Sequence, residues 1–193
     1  MIDSDYHRMV SWTLTEAAKL LGAPQHKLIH LCEKKVVVPD VRDARGRGSS
    51  RQFSKRNLFD FAVALEMRRL ELPVSFVQAV LRVLLSFEAE AKAVLGEFAL
   101  PESLVASGAP RLTLFIIDGE RLYFRLAPPG AEPRFFGGID VRHPRVRGRA
   151  RQHLGVGRLE PAQTDQILSA ARIRTEVDLS QIARELAARL PQG

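Results

Sequence analysis

Only one cysteine, Cys32, stands among the 193 residues, so a single chain can build neither a disulfide framework nor a cysteine zinc site. Cys32 itself is expected to be a small buried residue. No apolar run approaches the roughly 20 residues that a bilayer crossing needs. The opening Met-Ile-Asp-Ser-Asp-Tyr also lacks the basic-then-apolar layout of a secretory signal. A soluble, cytoplasmic chain without a membrane partner is the expectation. Catalytic patterns are missing too: there is no Ser-His-Asp order, no His-Glu-x-x-His helix and no Walker lysine. Gly46-x-Gly48 and Gly155-x-Gly157 are too short for dinucleotide fingerprints and sit in loops. His143 and His153 lie in a basic stretch without neighbouring carboxylates, as surface histidines do. Neither an enzyme, nor a cofactor, nor a bound metal is expected.

What the chain has is positive charge. The formal net charge is +7, which favours a polyanionic partner. Between Gln25 and Arg56 there are nine basic residues (Lys27, Lys34, Lys35, Arg42, Arg45, Arg47, Arg51, Lys55 and Arg56) against three acids (Glu33, Asp40 and Asp43). A second run, Arg142, Arg145, Arg147, Arg149, Arg151 and Arg158, contains no acid. Such a run is usually a solvated loop, and a second contact with nucleic acid or with another acidic partner is the other reading. It has no interleaved aromatics of the kind a single-strand binder stacks bases on.

Thr13 and Glu16 have capping-box spacing, and Leu14, Ala17, Ala18 and Leu21 follow at helical intervals up to Gly22. Pro24 suits the first turn of a second helix whose inner side is Leu28, Ile29, Leu31 and Cys32. Val36 to Pro39 and the stretch ending at Phe53 read as two strands, with a glycine-arginine tip from Asp40 to Ser50 between them. Ser54 caps a further helix through Leu70, which Leu72-Pro73 stops. From Val74 onward, Val77, Val80, Leu84, Phe87, Ala91, Val94 and Phe98 alternate steps of three and four. That is coiled-coil spacing, expected to pair two subunits, though a long amphipathic helix packed on its own C-terminal domain has the same pattern.

Beyond residue 107 the chain changes character. Arg111 to Ile117 and Glu120 to Leu126 are β-rich runs around Asp118-Gly119, a pair that favours a two-residue hairpin turn. Phe135 to Val141 offers a third strand, and Asp178 or Ser180 caps a last helix through Ile182, Leu186 and Leu190. The expected fold is mainly α with a small α+β C-terminal domain. Residues 1–75 form the head, 76–107 a long helix, and 108–193 the tail, a β-hairpin and a helix.

Two helices joined by a tight turn make a helix-turn-helix when the second is two-faced, braced on one side and open to a major groove on the other. The open side here carries Gln25, His26, Lys27, His30 and Lys34. Gln25 suits base edges and Lys27 a phosphate or guanine. Thr15 on the first helix, Arg42, Arg45, Arg47 and Arg51 around the tip, and Lys55 and Arg56 at the start of the next helix complete the expected footprint on duplex DNA.

Leu14 to Gly22, Pro24 to Lys34, Val38-Pro39 and Arg51-Gln52-Phe53-Ser54 resemble, in sequence and spacing, the MerR family of winged helix-turn-helix transcription regulators over roughly residues 12 to 86. Ile29, His30 and Leu31 stand where that family usually has an Arg-Tyr-Tyr run, and Phe53 stands for its wing tyrosine. The resemblance implies a homodimer held by the long helix, binding duplex DNA, with a C-terminal domain that senses a small-molecule or protein effector. Cysteine-based metal sensing is excluded, because no cysteine follows residue 32. The expected function is sequence-specific regulation of transcription. The alternative is a DNA-architectural or adaptor protein that uses the head as a docking module.

Overall fold

The computed structural model describes residues 10–43, 50–142 and 156–191. The head opens with β1 (Trp12–Thr13), followed by α1 (Leu14–Leu21) and α2 (Gln25–Glu33). Thr13 and Glu16 close the expected capping box: the Thr13 N–H donates to Glu16 Oε2 at 2.7 Å, and Thr13 Oγ1 accepts from the Glu16 N–H at 3.3 Å. Gly22 ends α1 in the left-handed region at φ 61°, and the Ala23 N–H reaches back to the Ala18 carbonyl at 3.0 Å. Glycine holds that conformation without a Cβ penalty, so the chain turns within Gly22-Ala23-Pro24.

The strand expected at Val36 to Pro39 is not one. Val36 and Val37 are buried in a bend, and the strand that pairs with β2 (Gln52–Phe53) is β1, with Trp12 opposite Phe53. A single antiparallel bridge joins Arg42 to Gln52, so the chain does return on itself around the glycine-arginine tip, whose residues 44–49 lie outside the described ones. Helix α3 (Lys55–Arg69) starts at Ser54, whose Oγ accepts from the Asn57 N–H at 3.2 Å. Asp40 locks this junction from the other side. Its carboxylate accepts from the Ser54 N–H at 3.0 Å and from the Ser54 hydroxyl, while its own N–H donates to Asn57 Oδ1 at 3.0 Å.

Helix α4 (Val74–Leu95) carries the heptad stripe, and its apolar side chains lie within this chain, as in the second of the two expected readings. Val77, Val80, Leu84, Phe87 and Ala91 are buried inside this chain, and Val94 packs against the same core. Phe87 stacks on Phe124 with ring centroids 4.5 Å apart and meets Phe98 and Phe136 edge-on. The stripe is therefore part of the core that α4 shares with the head and the sheet.

That sheet also corrects the fold class. Helix accounts for about 48% and strand for about 21% of the described residues, so the protein is mixed α+β rather than mainly α. Instead of a hairpin and a helix, the tail has a five-stranded antiparallel sheet in the order β6-β5-β4-β3-β7. Its strands are β3 (Arg111–Ile117), β4 (Arg121–Ala127), β5 (Arg134–Asp140), β6 (Gly157–Leu159) and β7 (Arg174–Asp178). Two helices accompany them, α5 (Pro161–Ala170) and α6 (Leu179–Arg189). The turn at Asp118-Gly119 is one residue longer than expected: both residues have positive φ, and the Glu120 N–H closes onto the Ile117 carbonyl at 3.1 Å.

Period-two alternation splits the sheet's side chains between two faces. Leu112, Leu114, Ile116, Leu122, Phe124 and Phe136 join the core shared with α4 and the head. Phe115, Ile117 and Tyr123 pack on the other face beneath Ile167 and Leu168 of α5. Helix α6 is capped by Asp178, whose carboxylate accepts from the Gln181 N–H at 2.9 Å. Ser180, the other expected cap, is buried and accepts from the Leu112 N–H at 2.7 Å. One continuous set of buried residues runs from Ala17 to Leu186, across all three segments expected from the sequence.

Candidate nucleic-acid interface

The site is built around α2. Leu28, Leu31 and Cys32 turn inward, whereas Gln25, His26, Lys27, His30 and Lys34 are exposed. Ile29, placed on the buried side from the sequence, is half-exposed at the edge of the open face. Two contacts from outside the head hold α2 and its partner helix in place. Gln78 of α4 donates to the Lys35 carbonyl at 3.0 Å, just beyond the end of α2. Arg189 of α6 donates to the Leu21 carbonyl at 3.2 Å, at the end of α1. The helix pair is thus pinned by side chains that come from the long helix and from the end of the chain.

The start of α2 has no side-chain cap, since Pro24 precedes it; the Lys27 N–H closes onto the Pro24 carbonyl at 3.0 Å, and the Gln25 and His26 N–H groups have no capping side chain. Such a terminus is suited to an anion. Lys27 stands on that same turn, and none of the described residues pairs with it. Thr15 is exposed on the first turn of α1. Gln25, His26, Lys27, His30, Lys34 and Thr15 therefore all reach solvent from the braced helix pair.

The residues around the tip divide. Arg42 is exposed beside its bridge to Gln52, while Arg51 is half-buried, with its Nε 3.2 Å from Asp43 Oδ1. Arg45 and Arg47 lie outside the described residues. Arg51 also lies near Cys32, whose thiol burial pushes up to about 11. A thiol held neutral in this way is a packing group rather than a nucleophile or metal ligand.

Arg56, expected on DNA, is turned inward instead. Its Nε lies 3.0 Å from Asp60 Oδ1 and its Nη1 pairs with Glu88 of α4. Glu88 uses its other oxygen to accept from the Leu100 N–H at 2.8 Å, so the network ties α3 to α4 and to the segment after it. Burial pushes the Asp60 carboxyl up to about 6 against the attraction of Arg56, because one guanidinium serves two carboxylates in a site with little solvent. Lys55 is half-buried and lies 3.5 Å from Glu102, a surface pair beside this network.

Of the second basic run, residues 143–155 lie outside the described ones. At its ends, Arg142 pairs with Glu120 and Arg158 is exposed on β6. Among the described residues, no cluster of three or more His, Cys, Asp or Glu side chains could hold a metal, and no helix is long and apolar enough to cross a membrane. Compared with protein-family models and with curated proteins, the chain matches none.

Proposed function

We propose that this chain is a sequence-specific duplex-DNA-binding regulator of transcription, with α2 entering the major groove and Arg42 lying on the phosphate backbone. The observation that carries the reading is the division of α2. One side is fixed in the core through Leu28, Leu31 and Cys32, and the other presents Gln25, His26, Lys27 and His30 to solvent, with Gln78 bonding the carbonyl just beyond the end of α2 and Arg189 the one that ends α1. A groove-reading helix needs rigidity on one side and free donors on the other. The net charge of +7 supports an anionic partner.

Within this reading Gln25 contacts a base edge, and Lys27, Lys34, Arg42 and Thr15 contact phosphates. Arg56 and Lys55 have no part in it. Two copies bind an inverted repeat, and they meet through a surface other than the buried stripe of α4. The test is fluorescence anisotropy with the duplex upstream of the protein's own gene and with a scrambled duplex, each across a salt series. Tighter binding to the former, by a factor of tens or more, supports a site-reading regulator. Equal and steeply salt-dependent binding to both supports the architectural alternative, and no binding at low salt refutes both.

A further inference from the structure

A pocket of about 430 Å³ lies beside the candidate reading helix, where α2, the end of α3 and α6 come together. Its apolar lining includes Leu21, Leu31, Leu65 and Leu186. Around these stand four permanent cations, Lys27, Arg68, Arg69 and Arg189, against two carboxylates, Glu66 and Glu185. Among the described residues only Arg69 is matched to an acid, with its Nη1 3.0 Å from Glu66 Oε2. Glu185 accepts from Gln181 at 3.0 Å. Arg68 and Arg189 donate to the backbone carbonyls of Leu72 and Leu21, which leaves their charge uncompensated. His26 and His30 also line the wall.

We infer that this pocket binds a small amphipathic anion, a molecule with a hydrocarbon or aryl body and a carboxylate or similar headgroup. The size falls in the range of small-molecule sites, which are concave and mostly apolar with a few polar groups that fix orientation. A neutral apolar occupant would cover the cations without pairing them, and a cationic one would be repelled. An anion pairs with them while its body covers the leucines. The effector site therefore lies against the head rather than in the β-sheet region. Because Lys27 and His30 belong both to the pocket and to the open face of α2, ligand and DNA compete. That consequence rests on the DNA reading, whereas the binding itself does not.

The experiment titrates 8-anilinonaphthalene-1-sulfonate into the full chain by fluorescence, then adds octanoate or octyltrimethylammonium. One probe per chain is expected, displaced by octanoate and not by the cation. Lys27→Glu, at an exposed position, should weaken the probe by about ten-fold, and Ala62→Phe should fill the pocket and do the same. Circular dichroism melting confirms that each variant is folded, and Lys27→Glu alone decides should Ala62→Phe fail to fold. Equal displacement by both surfactants, or unchanged affinity in Lys27→Glu, overturns the inference. An apparent affinity that falls as protein concentration rises would mean that a second copy covers the pocket, and it also overturns the inference. A wild-type chain that binds the probe but no duplex counts against the DNA reading alone. Loss of probe binding with duplex binding intact counts against the pocket alone.

Discussion

Lys27 and Arg56 have the same sign of charge and stand in the same basic stretch, yet the fold gives them opposite tasks. Lys27 faces solvent from the first turn of α2, while Arg56 is held between Asp60 and Glu88. Lys27→Ala should therefore reduce duplex affinity and the salt slope by roughly one phosphate contact, leaving the melting temperature unchanged. Arg56→Ala should do the reverse. It strips two part-buried carboxylates of their cation, at a cost of about 3–5 kcal/mol measured by urea unfolding. Asp60 adds a pH signature. Its folded carboxyl titrates near 6 against an ordinary value of 3.8, so the folded state holds the proton more tightly. Stability from this group is then greatest below about pH 4 and falls as pH rises towards 6, with a slope approaching one proton. Asp60→Asn should flatten that part of the stability profile in denaturation series from pH 3.5 to 7. Asp60, four positions after Arg56, was a legible helix pair, but Glu88, thirty-two positions away, was not, and it is the second acid that turns Arg56 inward.

At the scale of elements, local signals were legible where they were chemically complete. The Thr13–Glu16 box, the Gly22 stop, the Ser54 cap and the Leu72-Pro73 break all bound helices in the structure. The heptads of α4 were legible as an apolar stripe but silent about its partner, since steps of three and four suit a sheet's hydrophobic face as well as a second helix. Phe87→Ala accordingly should cost about 3–5 kcal/mol of unfolding free energy, through the aromatic cluster with Phe98, Phe124 and Phe136, rather than dissociate a dimer. Three elements of the tail escaped the sequence. Strand β7 places a single buried side chain, Val177, among charged neighbours, and β6 is only three residues long. Helix α5 buries only Thr164 fully, although Pro161 at its start and the Glu160–Gln163 capping box were available signals. Gly137 marks a further constraint, a bulge in β5 opposite Leu122 and Tyr123. At φ 143° an added Cβ would sit 2.5 Å from the Leu122 carbonyl oxygen, so Gly137→Ala should destabilise by about 1–3 kcal/mol in chemical denaturation.

For the molecule as a whole, the sequence suggested a head, a stalk and a tail in series, whereas the chain closes on itself. Helix α6 packs on α1 and α3, and Arg189 bonds the carbonyls that end α1. Contacts between positions some 168 residues apart leave no periodic trace, which is why this closure was not legible. Ending the chain at Asp178 should therefore lower the melting temperature of the whole fold in one transition, rather than leave an intact head. The same closure builds the pocket beside α2 and pins the helix pair that the proposed function depends on. The most direct test of that function is selection of duplexes from a random library by the full chain, repeated with Gln25→Ala. The account predicts enrichment of one motif, with preference relaxed at a single base position in the variant. No enriched motif over several rounds, or an identical motif from both proteins, would contradict α2 as the reading helix.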